Sequence, residues 1–191
     1  MIISINILHV NRNKVCFLTF IRSVQYRRNS SWVKENRKDI MSNLDTATTF
    51  FNACEKGDGW EGCKGFCVPN ATFRSQGGVF HPPLASEANL GGLVENYTDW
   101  MTLITKEVMP GCYLTDVVAA YDANSRTALF SATFHGKHTK TPEGANLPPP
   151  TNKSAESDYV YKIHFNQEGK IDSLIKIWNS EWAAKELGWM D

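Results

Sequence analysis

The period of the apolar residues changes once along this chain, at Pro110-Gly111. Before that dipeptide, apolar side chains recur at the spacing of a helix that buries one face. After it, they alternate with polar side chains, which is typical of strands with one buried face. A chain whose helical segments come first and whose strands follow is predicted to fold as an α+β protein, because the helices pack on one face of the sheet.

Three helices are predicted before the change of period, each with apolar residues on one face. In the first helix, Phe50, Phe51 and Cys54 share a face, and Gly57 ends the segment. A short strand and a loop rich in Gly and Pro separate the second helix from the third. The predicted bounds are 44–56, 60–67 and 93–109 for the helices, 71–76 for the strand and 77–92 for the loop.

Four strands and a closing helix are predicted after the change of period. In the second of these strands, Phe130 and Phe134 lie on the apolar face. In the third, Tyr159 and Tyr161 share the apolar face, and Asp158 lies on the opposite face. The predicted bounds are 113–121, 126–139, 156–165 and 170–178 for the strands and 180–187 for the helix. The expected architecture is a curved antiparallel sheet packed against three N-terminal helices, with a short C-terminal helix.

Charge divides the chain near residue 40. Residues 1–40 contain eight basic and two acidic residues, whereas the whole chain has no net charge. This asymmetry predicts a basic, disordered tail over 1–40 and a folded domain over 41–191. Three interpretations of the tail stay open: an organelle presequence, an arm that contacts phosphate or anionic lipid, and an extension that is not part of the working protein, with Met41 as the natural start. The predicted location is cytoplasmic, or an organelle if the tail is a presequence.

Several classes of function lack support in the sequence. Arg74, Lys137 and Lys140 are too scattered to form a nucleic-acid-binding face, and no apolar segment is long enough for a membrane span. The five cysteines are an odd number without the pattern of a disulfide framework, which predicts a reduced intracellular protein. Cys63 and Cys67 lack further ligands at zinc-binding spacing, so buried thiols are the favoured interpretation. Neither a metal nor a cofactor is predicted.

Six segments in chain order resemble the SnoaL-like polyketide cyclases, within the nuclear transport factor 2-like superfamily. They are FFNACEKGDGWEGCKGFCVPNATF, the helix that contains Trp100, ATFHGKHT, the Pro-rich loop over 140–153, DYVYKIHFNQEGKI and KIWNSEWAAKELGW. The resemblance covers roughly residues 44–189. It implies a cone-shaped fold, in which a bent sheet wraps around the helices and leaves an apolar pocket at its wide end. It also implies a homodimer formed through the convex face of the sheet.

The resemblance implies a class of ligand but does not specify the reaction. The superfamily includes cyclases, ketosteroid isomerases, epoxide hydrolases, dehydratases and non-catalytic binding or assembly modules, so the fold leaves the reaction open. We expect a small-molecule pocket protein that binds an apolar or aromatic, polyketide-like carbonyl compound. Its chemistry, if catalytic, would be cofactor-free acid/base chemistry of the cyclase, isomerase or lyase type. The alternative is a non-catalytic ligand-binding or dimerisation module in which the pocket is closed.

Lys176 is the most informative candidate residue. A SnoaL-type cyclase carries an acidic residue on the last strand, close after a histidine, and the resemblance aligns Lys176 with that acid and Leu174 with the histidine. Lys176 stands in an apolar run, and burying an unpaired ammonium is costly. A pocket lysine would hold an anionic substrate, stabilise an enolate or act as a base. The other interpretation is a strand lysine that faces solvent or pairs with Asp158 or Asp116.

Tyr161 and Asp158 complete the predicted catalytic set. A phenol inside an apolar pocket donates a hydrogen bond to a developing enolate oxygen. Asp158 is the best nearby carboxylate for Lys176, on the condition that a bulge or a bend of the sheet brings it around, because strict alternation puts it on the other face. A buried core tyrosine and a surface aspartate are the structural alternatives. Seven aromatic residues are predicted to bind substrate or to fill the core: Trp60, Phe73, Trp100, Phe130, Phe134, Tyr159 and Trp178. The histidines have no acidic partner at a spacing in the sequence that would indicate a catalytic pair, so none is predicted to be catalytic.

Overall fold

The computed structural model describes residues 30–76, 91–145 and 147–190, with side chains from Ser42 onward. A 3-10 turn over Lys64–Phe66 precedes the first strand, and a π-helix over Leu103–Val108 extends the third helix. The α+β class predicted from the sequence is confirmed. The elements are α1 (Ser30–Glu55), α2 (Gly59–Cys63), β1 (Cys67–Gln76), α3 (Val94–Thr102), β2 (Tyr113–Asp122), β3 (Thr127–Lys137), β4 (Ser154–Phe165), β5 (Ile171–Trp178) and α4 (Ser180–Glu186).

The described strands form one mixed sheet in the order β1–β5–β4–β3–β2. From β2 to β5, each strand pairs antiparallel with the next, as the predicted meander requires. The first strand departs from the prediction, because β1 pairs in parallel with β5. No hairpin links β1 to the meander, so turn geometry does not set its direction, and it adds to the free edge of β5.

Side chains alternate between the two faces of the sheet, as the sequence predicts. Phe130, Tyr161 and Lys176 are aligned across β3, β4 and β5, because Phe130 is opposite Tyr161 and Tyr161 is opposite Lys176. In the next row, Tyr159 lies opposite Trp178. All five residues lie on the face that the helices cover, where Phe130, Tyr161, Tyr159 and Lys176 are buried. The alternation therefore carries Lys176 into the interior.

The last turn of α1 is held firmly against the helix pair formed by α3 and the π-helix. Gly57 follows α1 with φ at +71°, a conformation that glycine adopts without strain. A Cβ atom at Gly57 would lie 2.0 Å from Thr105 Oγ1, so only a glycine permits this close approach. Phe51 of α1 stacks on Phe130 with 4.6 Å between ring centroids. These contacts fix the position of Glu55, the last residue of α1.

The first helix begins earlier than predicted, at Ser30 instead of residue 44. Residues 30–56 contain neither Gly nor Pro and include several good helix formers, so no residue in this range interrupts the helix. The helix crosses the predicted boundary at residue 40, and residues 30–40 are helical where disorder was predicted. The rest of the predicted tail, 1–29, and most of the predicted loop, 77–90, lie outside the described residues.

The cysteines of the described residues are free thiols, and Cys54, Cys63 and Cys67 are buried. Cys63 ends α2 and Cys67 begins β1, so the two do not share a helical face. Burial raises the pKa of each of these two thiols to about 12. Among the described residues, no group of three or more side chains is arranged to hold a metal ion. None of the described helices combines the length and the apolar character needed to cross a membrane.

Candidate functional site

A small cavity lies between the inner face of the sheet and the helices α3 and α4. Its volume is about 50 Å³, which is room for roughly three or four water molecules at about 10–15 Å³ each. Ligand pockets in proteins usually measure roughly 300–1,000 Å³, so this one is small. The side chains on the sheet and α3 that line it are Trp100, Met101, Phe134, Ala155, Ser157, Tyr159, Lys176 and Trp178.

The C-terminal segment closes one side of the cavity. Ala184 and Leu187 face it together with Trp189. The indole Nε1 of Trp189 donates a hydrogen bond to Nδ1 of the buried His138, at 2.8 Å. Thr151 Oγ1 donates to the carbonyl oxygen of Leu187, at 2.6 Å. These two bonds tie the end of the chain to the loop between β3 and β4.

Lys176 is buried, with only 7% of its surface exposed. Its Nζ lies over four aromatic rings, at 4.7 Å from the ring centroid of Trp178 and 5.0 Å from that of Tyr159. The rings of Tyr97 and Tyr161 follow at 5.7 and 5.8 Å. Within the described residues, Nζ has neither a hydrogen bond nor an ion pair. Burial lowers the pKa of Lys176, and the charge of Glu55 partly opposes that shift.

A chain of hydrogen bonds ends on Glu55 beside this lysine. The hydroxyl of Tyr161 donates to Oε1 of Glu55, and it also bonds to the hydroxyl of Tyr97. Because a phenol has one proton to donate, Tyr97 must be the donor to Tyr161. Both tyrosines are fully buried. Burial raises the pKa of each phenol, and the nearby Glu55 adds to the rise.

The Glu55 carboxyl is the negative group whose charge acts on Lys176. Burial raises its pKa, whereas the charge of Lys176 and then the hydrogen bond from Tyr161 oppose the rise. Glu55 is only half-buried as a residue, because its other side borders a surface groove beside Lys56 and Lys106. The carboxylate thus connects the interior to the surface of the protein.

The hydroxyl of Tyr159 is fully buried and lacks a hydrogen-bond partner within the described residues. It is near enough to Glu55 to lower the pKa of that carboxyl, although the two form no hydrogen bond of ordinary geometry. Burial, and then the charge of Glu55, raises the pKa of Tyr159. Since buried hydroxyls are almost always paired, this one is suited to a water or a ligand in the cavity.

The structure brings some of the predicted site residues together and separates others. Four of the seven predicted aromatic residues line the cavity, namely Trp100, Phe134, Tyr159 and Trp178. The other three do not: Phe73 stacks on Tyr97 at 4.2 Å, Phe130 stacks on Phe51, and Trp60 is half-buried at the start of α2. Tyr161 lies deeper than the cavity, in the hydrogen-bonded chain.

Asp158 is not part of this group. It lies on the opposite, exposed face of β4, as the alternation predicts, and accepts a hydrogen bond from Thr133 Oγ1 at 2.6 Å. Asp116 is likewise exposed, at a bulge in β2. Neither carboxylate pairs with Lys176. The ion pair that the sequence suggested as an alternative role for this lysine is therefore not formed.

Glu55 and Tyr97 are the site residues that the sequence reasoning did not assign. A signal for Glu55 was present, because it follows Phe51 by four residues and so shares the buried face of the helix. A second missed pair is His164 and Asp172, whose Nδ1 and Oδ1 atoms are 2.6 Å apart across the β4–β5 hairpin. Spacing along the chain does not reveal such cross-strand partners.

Comparisons with known proteins complete this picture. No protein-family model matches the sequence, and no curated protein sequence matches it. Solved structures do match. A protein from Jannaschia sp. CCS1 whose name assigns it to the SnoaL-like polyketide cyclases has a TM-score of 0.58 at 12% identity, over 79% of this chain and 94% of that chain. A protein from Xanthomonas campestris pv. campestris, named as a polyketide cyclase, has a TM-score of 0.54 at 16% identity, over 76% of this chain and 97% of that chain.

A third structure extends the likeness to a fungal enzyme. BvnE pinacolase from Penicillium brevicompactum has a TM-score of 0.53 at 12% identity, over 77% of this chain and 89% of that chain. Identities this low establish the fold alone. The chain therefore has the fold of the SnoaL-like polyketide cyclases, the α+β architecture that the sequence resemblance implied.

Proposed function

We propose that this chain binds a small apolar carbonyl compound in the cavity beside Lys176 and moves a proton at the carbon next to the carbonyl. The observation that carries the proposal is a buried lysine that lines an aromatic cavity and whose amine has no hydrogen-bond partner within the described residues. Proteins of the same fold named as a polyketide cyclase, a pinacolase and an isomerase lend it support. The chemistry of the site needs no group that the chain itself does not supply.

Lys176 would hold the carbonyl oxygen. Its side chain lines the cavity, and its Nζ has no hydrogen-bond partner within the described residues. A carbonyl oxygen accepts hydrogen bonds, so it satisfies this donor. The rings of Trp100, Phe134 and Trp178 would contact the apolar part of the molecule.

The size of the cavity selects the smallest members of the ligand class. A volume of about 50 Å³ suits an aldehyde or ketone of a few heavy atoms, since it equals roughly three or four waters. An aromatic or polyketide-sized compound needs more room than this. The proposed substrate is therefore a short-chain carbonyl compound.

Glu55 is the proposed proton acceptor. Burial raises the pKa of its carboxyl, which makes the carboxylate a stronger base. Tyr159 would relay the proton, because its side chain lines the cavity and its hydroxyl acts on the carboxyl of Glu55. Lys176 would stabilise the negative charge that develops on the carbonyl oxygen. Tyr161 holds the carboxylate through its hydrogen bond and is a positioning residue, and Asp158 has no part in this proposal.

Exchange of α-protons tests the proposal directly. In D₂O, the full chain should accelerate deuterium incorporation into acetone, followed by NMR. Lys176→Met and Glu55→Gln should each reduce the accelerated rate at least tenfold, because general acid–base groups typically contribute ~10²–10⁴-fold. Glu156→Gln removes an exposed carboxylate from the same sheet and should leave the rate unchanged. A wild-type rate equal to that of buffer, from protein shown to be folded by circular dichroism, would rule the proposal out.

Ligands that co-purify with the protein provide a second readout. Native mass spectrometry of the full chain should reveal a small carbonyl compound that Lys176→Met does not retain. If wild type and variant retain the same compound, Lys176 is not its contact residue, and the site assignment fails.

The second candidate function is a non-catalytic module. The observation that favours it is the small volume of the cavity, because a core this well filled is what a closed pocket would leave. In that case neither exchange nor a bound ligand would be detected, and Lys176→Met would be at least as stable as wild type.

A further inference from the structure

We infer that Lys176 forms an imine with the carbonyl carbon of a short-chain aldehyde or ketone. This inference rests on the proposed function, because it makes the activation of the carbonyl covalent. It concerns how Lys176 acts, and it leaves the proton acceptor, Glu55, unchanged.

The surroundings of Nζ leave its lone pair available. A surface lysine is protonated and hydrated, whereas Lys176 is buried and, within the described residues, free of hydrogen bonds and ion pairs. Burial also lowers its pKa, which raises the fraction of free amine near neutral pH. The Lys176 side chain lines the cavity, so a carbonyl compound bound there would contact it.

The same surroundings favour the product. A protonated imine carries a positive charge, and the four rings at 4.7–5.8 Å from Nζ stabilise a cation at that position. Glu55 supplies a negative charge close enough to act on it. No bound carboxylate or hydrogen bond has to be broken before the new bond forms.

The step balances without a further reactant. The lone pair of neutral Nζ attacks the carbonyl carbon, and the π electrons of the C=O bond move to oxygen, which takes a proton from the Tyr159 hydroxyl. Nζ returns a proton to the Tyr159 oxygen, which gives a carbinolamine. The Tyr159 hydroxyl then donates a proton to the carbinolamine hydroxyl, which leaves as water while the lone pair of Nζ forms the C=N bond and gives the protonated imine. Return of the nitrogen proton to the Tyr159 oxygen gives the neutral imine. One amine and one carbonyl thus yield one imine and one water.

Reductive trapping tests the inference on the full chain. Propanal and sodium cyanoborohydride are added near neutral pH, and the modified lysines are identified by peptide mass mapping. Each reduced imine adds the mass of propanal less one oxygen atom. Lys176 should be labelled at least tenfold faster than Lys162, an exposed lysine on the outer face of β4. Equal labelling of the two, or no label on Lys176, overturns the inference.

Two variants separate this inference from the proposed function. Lys176→Arg keeps the charge but forms no imine, and Lys176→Met serves if the arginine variant does not fold. Both should lose the fast label and retain the slow label on Lys162. If wild type catalyses α-proton exchange in acetone but is not trapped at Lys176, the imine is rejected and the proposed function stands. If neither trapping nor exchange occurs, both fail.

Discussion

At the level of single residues, the site pairs a buried amine, Lys176, with a half-buried carboxyl group, Glu55. Burial lowers the pKa of Lys176 and raises that of Glu55, and the charge of each partly restores the other. The rings around Nζ and the hydrogen bond from Tyr161 supply part of the solvation that water would otherwise give. The pair is therefore a source of chemical reactivity and a burden on stability at the same time.

Lys176→Met tests this destabilisation through the pH dependence of the free energy of unfolding. The folded pKa of Lys176 lies below its unfolded value, so between those two values the unfolded chain binds more protons. Wild-type stability should rise as pH increases through that window toward ~10.4, by about 1.4 kcal/mol for each unit of pKa shift. The methionine variant should lack this rise. Urea unfolding at a series of pH values between 7 and 10 measures it.

The matched control is Lys162→Met, which removes an exposed lysine from the same sheet. Its stability should follow that of wild type across the series. Parallel curves for wild type and Lys176→Met would mean that the amine is not buried in solution.

The sequence predicted Lys176 as a site residue but not Glu55, and the difference has a physical reason. A lysine among alternating apolar residues must face either the core or the solvent, so its strand already marks it as informative. Glu55 stands at the end of a helix, where charged residues are usually solvated, and nothing local brings it to Lys176. That proximity depends on how α1 lies across the sheet.

At the level of elements, the C-terminal segment depends on one histidine. Nδ1 of His138 accepts the hydrogen bond from Trp189, so the proton of the neutral ring is on Nε2, which donates to Thr141 Oγ1 at 3.0 Å. A second proton would put an N–H group at Nδ1, facing the N–H of Trp189. Charging His138 should therefore loosen the segment that closes the cavity.

Acid should destabilise the protein through this residue. Burial lowers the pKa of His138 below its unfolded value near ~6.5, so between those two values the unfolded state binds more protons and stability falls as pH falls. We expect exchange of the Trp189 indole proton to accelerate below about pH 6.5, as measured by NMR. His138→Phe should abolish this pH dependence and cost about 1–3 kcal/mol, because the indole N–H loses its acceptor.

His164→Gln is the control, since it replaces a histidine on the outer part of the sheet that does not contact the C-terminal segment. It should leave the exchange of Trp189 unchanged. A Trp189 proton that exchanges at the same rate across this pH range would contradict the assigned role of His138.

At the level of the whole molecule, the outer face of the sheet is unusually apolar. Val118 is 64% exposed, Leu129 46% and Ile177 44%. Val118 and Leu129 lie on the neighbouring strands β2 and β3, and Ile177 lies on β5, beyond β4. Exposed apolar side chains on one face commonly mark interaction surfaces. Together with the resemblance, they lead us to propose that two copies of the chain associate through this face.

Leu129→Asp tests the dimer. Placing a carboxylate in the middle of the proposed interface should convert a dimer into a monomer, because an unpaired charge is costly to bury. Light scattering coupled to size-exclusion chromatography gives the mass of each species. Asn124→Asp adds the same charge at the exposed β2–β3 turn and should leave the dimer intact. A monomeric wild type would reject the proposal.

Truncation tests the proposed boundary between tail and domain. Residues 41–191 should melt at the same temperature as the full chain, because the buried residues of α1, among the side chains described from Ser42 onward, are Ala47, Phe50, Phe51 and Cys54. Thermal unfolding followed by circular dichroism compares the two. Since α1 begins at Ser30, a large fall in melting temperature would show that the first part of this helix belongs to the domain.

The sequence by itself determined the class of fold and the face that each strand residue takes. Both follow from the period of the apolar residues, which is a local property of helical and extended backbone. The tertiary structure alone decided that β1 joins β5 in parallel, that the charge of Glu55 acts on Lys176, and that α4 leaves a cavity of about 50 Å³. These features join segments that are distant along the chain, so they depend on how the whole chain packs and leave no local pattern in the sequence.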